Sequence, residues 1–205
     1  MGMENKNSYH HGDLKNALIS AGVEILAREG VGALSLRKVA QKAGVSHSAP
    51  YAHFKDKQAL IAAISIEGFK KLLAELQSTF EKYRANPDRL LLETAWVYFE
   101  FALQERDTFK VMFSGILEKE KDYPDLVDVV QQTFQMVVNV VSLCQLNGIL
   151  RIADADLTSM VVWAQIHGLI SLYLEGQISH TILEHYELRK ILLYSLNQLT
   201  LIPIQ

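Results

Sequence analysis

The sequence predicts an all-α protein with a small N-terminal domain of three helices on a larger C-terminal helical bundle. Apolar residues recur every three or four positions along most of the chain, which indicates amphipathic helices. No stretch alternates like a strand between turn signals. Residues 34–60 contain two short helical patterns joined by a tight turn with a glycine, which is the layout of a helix-turn-helix.

The first two helices are predicted from their apolar faces and their end signals. The first runs from about residue 13 to residue 29, with Leu14, Leu18 and Ile25 on one face. Ser35 is a good N-cap for the second helix, because its hydroxyl can accept an orphan backbone N–H. Gly44 ends that helix, since glycine adopts the left-handed backbone of a helix end at no steric cost.

The second helix of the helix-turn-helix is expected to be short. Ser46 is predicted to cap it, and Pro50 fits no further in than about the first turn because it lacks an N–H. We expect this helix to end near Phe54. Asp56 is then predicted to cap a long helix that continues to about Tyr83.

The remaining residues are predicted to form the helical bundle. We expect helices at about 88–105 and 124–147, with one or two short helices between residues 107 and 120. A further helix begins at Asp154 or Asp156, and a last helix runs from about residue 184 to residue 199. We assign residues 1–57 to the N-terminal domain and residues 58–205 to the C-terminal domain.

The polar side chains of the helix-turn-helix point to DNA binding. In this geometry the second helix lies in the major groove, where each base pair presents its own pattern of donors and acceptors. Hydroxyls, imidazoles and cations there can contact phosphates and base edges, although an ordinary helical hairpin with a solvated polar face is the alternative. The candidate DNA-binding residues are Ser35, Arg37, Ser46, His47, Ser48, Tyr51, His53, Lys55 and Lys57.

The distribution of charge agrees with an N-terminal DNA-binding domain. The whole chain has a net charge of -3. Residues 1–57 carry eight Lys and Arg against five Asp and Glu, a net of +3, and the other residues carry twelve against eighteen, a net of -6. Because affinity for DNA comes largely from neutralising phosphates, a basic domain beside an acidic body is the expected asymmetry.

Aromatic residues on successive helices of the body suggest a ligand cavity. Pockets for small ligands are mostly apolar and often lie between the helices of a bundle. Ordinary core packing is the alternative for each of these residues, and for the histidine it is a hydrogen-bonded position in the core. The candidate ligand-binding residues are Trp96, Phe99, Phe113, Trp163 and His167.

Composition and absent motifs limit the other classes of function. The single cysteine, Cys144, excludes an internal disulfide and suits a reducing cytoplasm. The polar N-terminus and the short apolar runs predict neither a secretory signal nor a membrane partner. Without a Gly-rich phosphate loop, H-E-x-x-H, C-x-x-C or G-x-S-x-G, we expect no enzyme, no metal and no cofactor.

The first third of the chain contains Gly30, Ser35, the turn Ala43-Gly44-Val45-Ser46, the element Tyr51-Ala52-His53-Phe54 and Lys57. In these residues the chain resembles the TetR family of bacterial transcriptional repressors. Pro50 departs from it, because many members have Leu, Val or Ile there. Trp163, His167 and Gly168 form a Trp-x-x-x-His-Gly signature like that of one subgroup.

The resemblance implies a ligand-responsive repressor that binds a palindromic operator of double-stranded DNA as a homodimer and responds to a small-molecule effector. An all-α ligand-binding or enzymatic bundle with an incidental helix-turn-helix-like hairpin is the alternative, and it would show no salt-dependent retention of DNA. We expect the last two long helices to supply the dimer interface. Some of their apolar positions must face the chain's own core instead, and the sequence does not separate the two groups. The candidate apolar positions are Leu188, Ile191, Leu192, Ser195, Leu199, Met160, Trp163, Ile170 and Tyr173.

Overall fold

A computed structural model of the chain describes residues 11–117 and 120–205. Within these ranges the chain is built from helices and contains no strand, which confirms the all-α prediction. The α-helices are α1 (His11–Glu29), α2 (Leu36–Lys42), α3 (Lys57–Tyr83), α4 (Pro87–Gln104), α5 (Arg106–Met112), α6 (Pro124–Leu146), α7 (Ala155–Leu174), α8 (His180–His185) and α9 (Leu188–Asn197). Short 3-10 helices lie at Val31–Ala33, Ala49–Ala52 and Glu120–Asp122.

The predicted signals set both ends of α2. The Ser35 hydroxyl accepts a hydrogen bond from the backbone N–H of Lys38 at 3.2 Å. At the other end Gly44 has a φ of +70°, and the N–H of Val45 donates to the carbonyl of Ala40 at 3.0 Å. This is the glycine-terminated helix end expected for the turn of a helix-turn-helix.

The recognition segment, defined as residues 46–54, contains a 3-10 turn at Ala49–Ala52 where an α-helix was predicted. The prediction that Ser46 caps a helix was wrong, because its hydroxyl lies 3.1 Å from the hydroxyl of Ser48. Pro50 has no N–H to donate to the Ser46 carbonyl, and the N–H of Ala49 reaches that carbonyl at 3.0 Å. The missing donor therefore favours the tighter turn.

Helix α3 contributes to three hydrophobic cores among the described residues, the smallest of which joins the middle of α3 to α6. The first core joins α1, α2 and the start of α3, with Leu18, Val39, Leu60 and Ile64 fully buried. The second lies between the end of α3 and helices α4, α6, α7 and α9. The domain boundary at residue 57 coincides with the first residue of α3 and stays a prediction.

The other helix ends follow the sequence signals, with one exception. Asp56 caps α3 and Asp154 caps α7, each accepting a backbone N–H. The last helix was wrongly predicted as continuous, because α8 and α9 are separated by an extended residue, Tyr186. Helix α8 contains no buried residue, so the buried stripe of α9 does not extend before Leu188. Because helices in proteins are stabilised mainly by packing, nothing favours one continuous helix here.

Helices α6 and α7 are long and apolar enough to cross a membrane by length and composition alone. In the structure α6 packs against α3, α4 and α7, and α7 also packs against α4 and α9. Core helices of a bundle commonly have this composition. The expected absence of a membrane partner stays a prediction.

Candidate nucleic-acid interface and ligand cavity

Most of the candidate DNA-binding residues have exposed side chains. Tyr51 retains 61% of its accessible surface, and His53 and Lys57 are half-buried. The imidazole of His53 lies beside the buried ring of Phe54, with 6.1 Å between ring centroids. The exposed members are Ser35, Arg37, Ser46, His47, Ser48, Tyr51 and Lys55.

Ion pairs divide the cations of the first domain into two groups. Lys38 pairs with Glu29, and Lys42 lies 2.6 Å from a carboxylate oxygen of Glu24. The hydrogen bond and charge of Lys42 hold the pKa of Glu24 below its ordinary value. Within the described part of the chain, Arg37 and Lys57 take part in no ion pair. Both remain available for phosphates.

Lys55 is placed differently from the other candidate cations. Its ammonium lies 5.5 Å from the ring centroid of Tyr123, the residue that precedes α6. At this distance the cation is attracted by the aromatic face. The structure therefore links the end of the recognition segment to a helix of the body through Lys55.

The body contains a cavity of about 560 Å³ between α3, α4, α6 and α7. Its exposed lining residues, Gln131, Gln135 and Met160, mark where it meets solvent. Apolar side chains form most of the wall, as is usual for small-molecule sites. The lining residues are Phe69, Leu72, Leu76, Leu91, Thr94, Ala95, Tyr98, Phe113, Val130, Gln131, Thr133, Phe134, Gln135, Val137, Val140, Val141, Met160, Val162, Trp163 and Ile166.

A hydrogen-bonded chain of three rings stands at one side of the cavity. The indole N–H of Trp163 donates to the Tyr98 oxygen at 3.2 Å, and this oxygen lies 2.7 Å from Nδ1 of His167. The Tyr98 oxygen accepts from Trp163, and we assign its proton to an unprotonated Nδ1 of His167, the tautomer in which the Tyr98 hydroxyl also donates. Burial lowers the pKa of His167 and raises the pKa of Tyr98, which favours the neutral form of each group.

Only part of the predicted ligand-binding set lies on the cavity wall. Phe113 and Trp163 line it, and His167 is placed behind Tyr98, with its ring centroid 4.8 Å from that of Phe113. Trp96 and Phe99 lie outside the lining and stack on each other with centroids 5.9 Å apart. The structure does not place these two residues on the cavity wall, and their role in ligand binding stays a prediction.

The rotation of about 100° per residue along α4 explains why Trp96 and Phe99 lie off the cavity wall. Positions 91, 94, 95 and 98 follow the three-and-four spacing of one helix face and line the cavity. Trp96 and Phe99 are each one position further along, which turns their side chains away by about 100°. There the Arg189 guanidinium lies 5.2 Å from the Trp96 ring centroid. Thr94 was not predicted from the sequence, although this spacing could have revealed it.

Both parts of the chain match known families. Residues 18–64 match the family of bacterial regulatory proteins called tetR, and residues 91–194 match the tetracyclin repressor-like C-terminal domain. The chain belongs to the TetR family. Among the described residues of this TetR-family protein, no three His, Cys, Asp or Glu side chains are grouped to hold a metal ion.

Individual relatives agree with the family match. The TetR-family chain is 30% identical over 114 residues to an uncharacterized HTH-type transcriptional regulator of Haemophilus influenzae, covering 56% of each chain. The chain thus spans about half the length of the curated relatives that it matches first.

Solved structures extend the likeness to nearly the whole chain. A protein of unknown function from Rhodococcus sp. RHA1 has a TM-score of 0.75 and 28% identity, covering 94% of this chain and 96% of its own. FadR from Bacillus subtilis in complex with stearoyl-CoA has a TM-score of 0.71 and 16% identity, covering 88% and 95%. The FadR likeness shows the shared fold.

Proposed function

We propose that this TetR-family chain is a ligand-responsive transcriptional repressor that binds a palindromic operator as a homodimer. It acts in the cytoplasm on double-stranded DNA, responds to a small-molecule effector and has no enzymatic activity. One observation carries the proposal. The exposed recognition segment packs on the first core, the apolar cavity lies in the second, and α3 contributes to both cores. One chain therefore combines a surface for DNA with a site for a ligand.

The described side chains support a division of roles at the DNA. Phosphate contacts position a protein, and base contacts specify a sequence. We assign Tyr51 and Lys57, together with the half-buried His53, to phosphates. His47 and Ser48 are exposed at the beginning of the recognition segment and are assigned to base edges. Arg37 extends from α2 and can reach either.

Helix α5 supplies a physical connection between the cavity and the DNA-binding domain. Val111 belongs to the first core, and Phe113 lines the cavity two residues later. At Gly68 of α3, an added Cβ would lie 2.5 Å from the Met112 sulfur and 2.9 Å from Cγ2 of Thr108. This close contact couples the positions of α3 and α5, because a densely packed interior transmits a displacement from one helix to its neighbour. A ligand that displaces Phe113 therefore shifts the first core.

Repression is relieved only if the effector discriminates between two conformations. An effector that binds both conformations equally shifts no equilibrium. The effector must bind more tightly where the spacing of the two recognition segments no longer fits the operator. We place this discrimination at the cavity wall formed by Phe113 and Trp163.

An exposed apolar face of α7 and α9 supports the homodimer. Leu157, Val161 and Leu172 of α7 are 68%, 54% and 46% exposed, and Tyr194 of α9 is 71% exposed. A Cβ added at Gly168 would meet nothing within 4 Å in the same chain. A face of this kind fits a second copy about a two-fold axis, which also matches a palindromic operator with half-sites about 34–36 Å apart or a multiple of that distance.

The exposed fractions of the side chains divide the apolar positions named from the sequence between the chain's own core and this face. Leu192 and Ile170 are 0% exposed and belong to the core of their own chain. Trp163 lines the cavity. Leu188, Ile191, Ser195, Leu199 and Tyr173 are half-buried, and Met160 is exposed.

A selection from random duplex DNA tests the proposed function. We expect the purified protein to enrich a palindrome and to bind it with an affinity that falls steeply as salt rises, because phosphate contacts release counterions. Fluorescence anisotropy at several salt concentrations measures this slope. Absence of DNA retention at low salt would instead support the ligand-binding or enzymatic bundle.

Lys57→Ala is expected to weaken binding to all DNA sequences alike and to lower the salt slope by about one unit, because one phosphate contact is lost. Tyr51→Phe should likewise weaken binding without changing sequence preference, whereas His47→Ala should change the preferred base. Lys38→Ala is the matched control, since its ammonium pairs with Glu29. Unchanged affinity and slope in Lys57→Ala would contradict the assignment.

Trp163→Ala is expected to blunt the release of operator by a compound found in a ligand screen, while affinity for operator without that compound stays nearly unchanged. The indole lines the cavity, so its loss removes contact with the ligand. Trp96→Ala is the control, because Trp96 lies outside the lining. A lowered melting temperature with exposed hydrophobic surface in Trp163→Ala alone would favour a packing role.

A further inference from the structure

We infer that the cavity binds an uncharged, mainly hydrocarbon molecule that carries a hydrogen-bond acceptor such as a carbonyl oxygen, and that the Thr94 hydroxyl donates to this acceptor. The inference rests on the proposed ligand-responsive function and names the chemical class of the ligand. It concerns the wall formed by α4, α6 and α7, where Thr94 lies among apolar side chains.

Thr94 is a buried polar residue whose hydroxyl lacks a partner. The residue is 8% exposed and lines the cavity, and its Oγ1 makes no hydrogen bond. Buried hydroxyls are normally hydrogen-bonded, because leaving one unpaired costs most of its lost hydration. An unpaired hydroxyl on the wall of an apolar cavity is therefore a position where a ligand supplies the partner.

The other hydroxyl and indole donors along this wall are already engaged. Trp163 donates to Tyr98, and in the tautomer assigned above the Tyr98 hydroxyl donates to Nδ1 of His167. Thr133, which is also buried on the wall, donates to the carbonyl of Val129 at 2.7 Å. Among these described groups, Thr94 alone retains an unengaged proton, and its complement on a ligand is an acceptor.

The charge of the lining excludes an ionised group within the cavity. No Asp, Glu, Lys, Arg or His belongs to the lining. A carboxylate placed there would lose its hydration without gaining a cation, which is strongly unfavourable. The phosphates of an acyl-CoA likewise find no cation on this wall. The volume of about 560 Å³ suits a molecule of drug-like size.

Three probes of similar length separate the possible classes in the full-length protein. They are methyl nonyl ketone, the alkene in which a CH₂ group replaces the carbonyl oxygen, and decanoate. Displacement of Nile red, an uncharged dye, measures each affinity. We expect wild-type protein to prefer the ketone over the alkene by about five- to tenfold, the effect of one neutral hydrogen bond. Decanoate should bind more weakly than either uncharged probe.

Thr94→Val should abolish the preference for the ketone over the alkene. It should also raise the melting temperature of the ligand-free protein, since it removes an unpaired buried hydroxyl without changing side-chain shape. Thr133→Val is the matched control. It makes the same substitution on the same wall, but its hydroxyl proton is already bonded to Val129, so the ketone preference should persist.

Equal affinity of the wild-type protein for ketone and alkene, or a ketone preference that survives in Thr94→Val, would overturn the inference. Binding of none of the probes, or tighter binding of decanoate, would overturn it as well. Operator binding measured in parallel distinguishes these outcomes from failure of the proposed function. A Thr94-dependent ketone preference with operator affinity unchanged by the ketone would support the ligand class and contradict the regulatory role of the cavity.

Discussion

Val161→Asp is expected to convert the proposed dimer into a folded monomer that has lost specific operator binding. Val161 is 54% exposed on α7, so an aspartate there remains hydrated in the monomer and leaves the core intact. In a dimer, the two-fold axis would bury this carboxylate twice without a partner. Operator affinity should fall by about a thousandfold or more, toward the level of non-specific binding.

Sedimentation and circular dichroism together measure this effect. Wild-type protein should sediment at twice the monomer mass of 23.1 kDa, and Val161→Asp near that mass with unchanged helical content. Gly168→Leu provides a second, uncharged variant. An added Cβ meets nothing within 4 Å, and leucine favours a helix interior over glycine by about 0.8 kcal/mol. It should therefore stabilise the monomer and still block the partner.

A wild-type monomer at micromolar concentration that binds operator tightly would contradict the dimer proposal. Tight operator binding by Val161→Asp as a dimer would place the interface on another face. Glu184→Asp is the control. Glu184 is exposed on α8, which contains no buried residue, and the substitution retains the charge. It should leave both mass and affinity unchanged.

Leu192→Asp is expected to lower the free energy of unfolding of the chain strongly. Leu192 is 0% exposed in the second core. The substitution removes a buried leucine, which costs about 2–5 kcal/mol even without a charge, and also places an unpaired carboxylate among apolar side chains. The combined loss of about 4 kcal/mol or more is a large part of the stability of an ordinary domain. Urea denaturation followed by circular dichroism measures it.

Tyr194→Asp is the matched control for Leu192→Asp. It introduces the same charge two residues further along α9, at a side chain that is 71% exposed. The unfolding free energy of the monomer should change little, while dimerisation weakens. A folded, monomeric Leu192→Asp variant would show that Leu192 belongs to an interface and would contradict its position in the core.

The helix-turn-helix was predictable because its signals are local. The cap at Ser35, the left-handed turn at Gly44 and the cap at Asp56 each act within a few residues, and the structure has all three. The type of helix in the recognition segment was not predictable in the same way. The proline at position 50 indicated a short element, but whether the backbone formed an α or a 3-10 turn depended on competing hydrogen bonds.

The cavity illustrates what the sequence left open. Aromatic composition indicated a cavity or a core in the body, and the structure places Phe113 and Trp163 on its wall but Trp96 and Phe99 elsewhere. Which residues of α4 line the cavity depends on the face that α4 presents to α6 and α7. No sequence pattern marks Thr94 as a site residue, because only the surrounding side chains show that its hydroxyl lacks a partner.

The sequence by itself determined the all-α fold, the helix ends at Ser35, Gly44 and Asp56 and the family resemblance of the first domain. These features depend on periodicity, capping and turn chemistry, which are encoded in neighbouring residues. Tertiary structure decided that Leu192 faces inward and Tyr194 outward, and which lysines are paired. An apolar helical stripe fits either its own core or a second chain, because burial lowers the free energy equally in both.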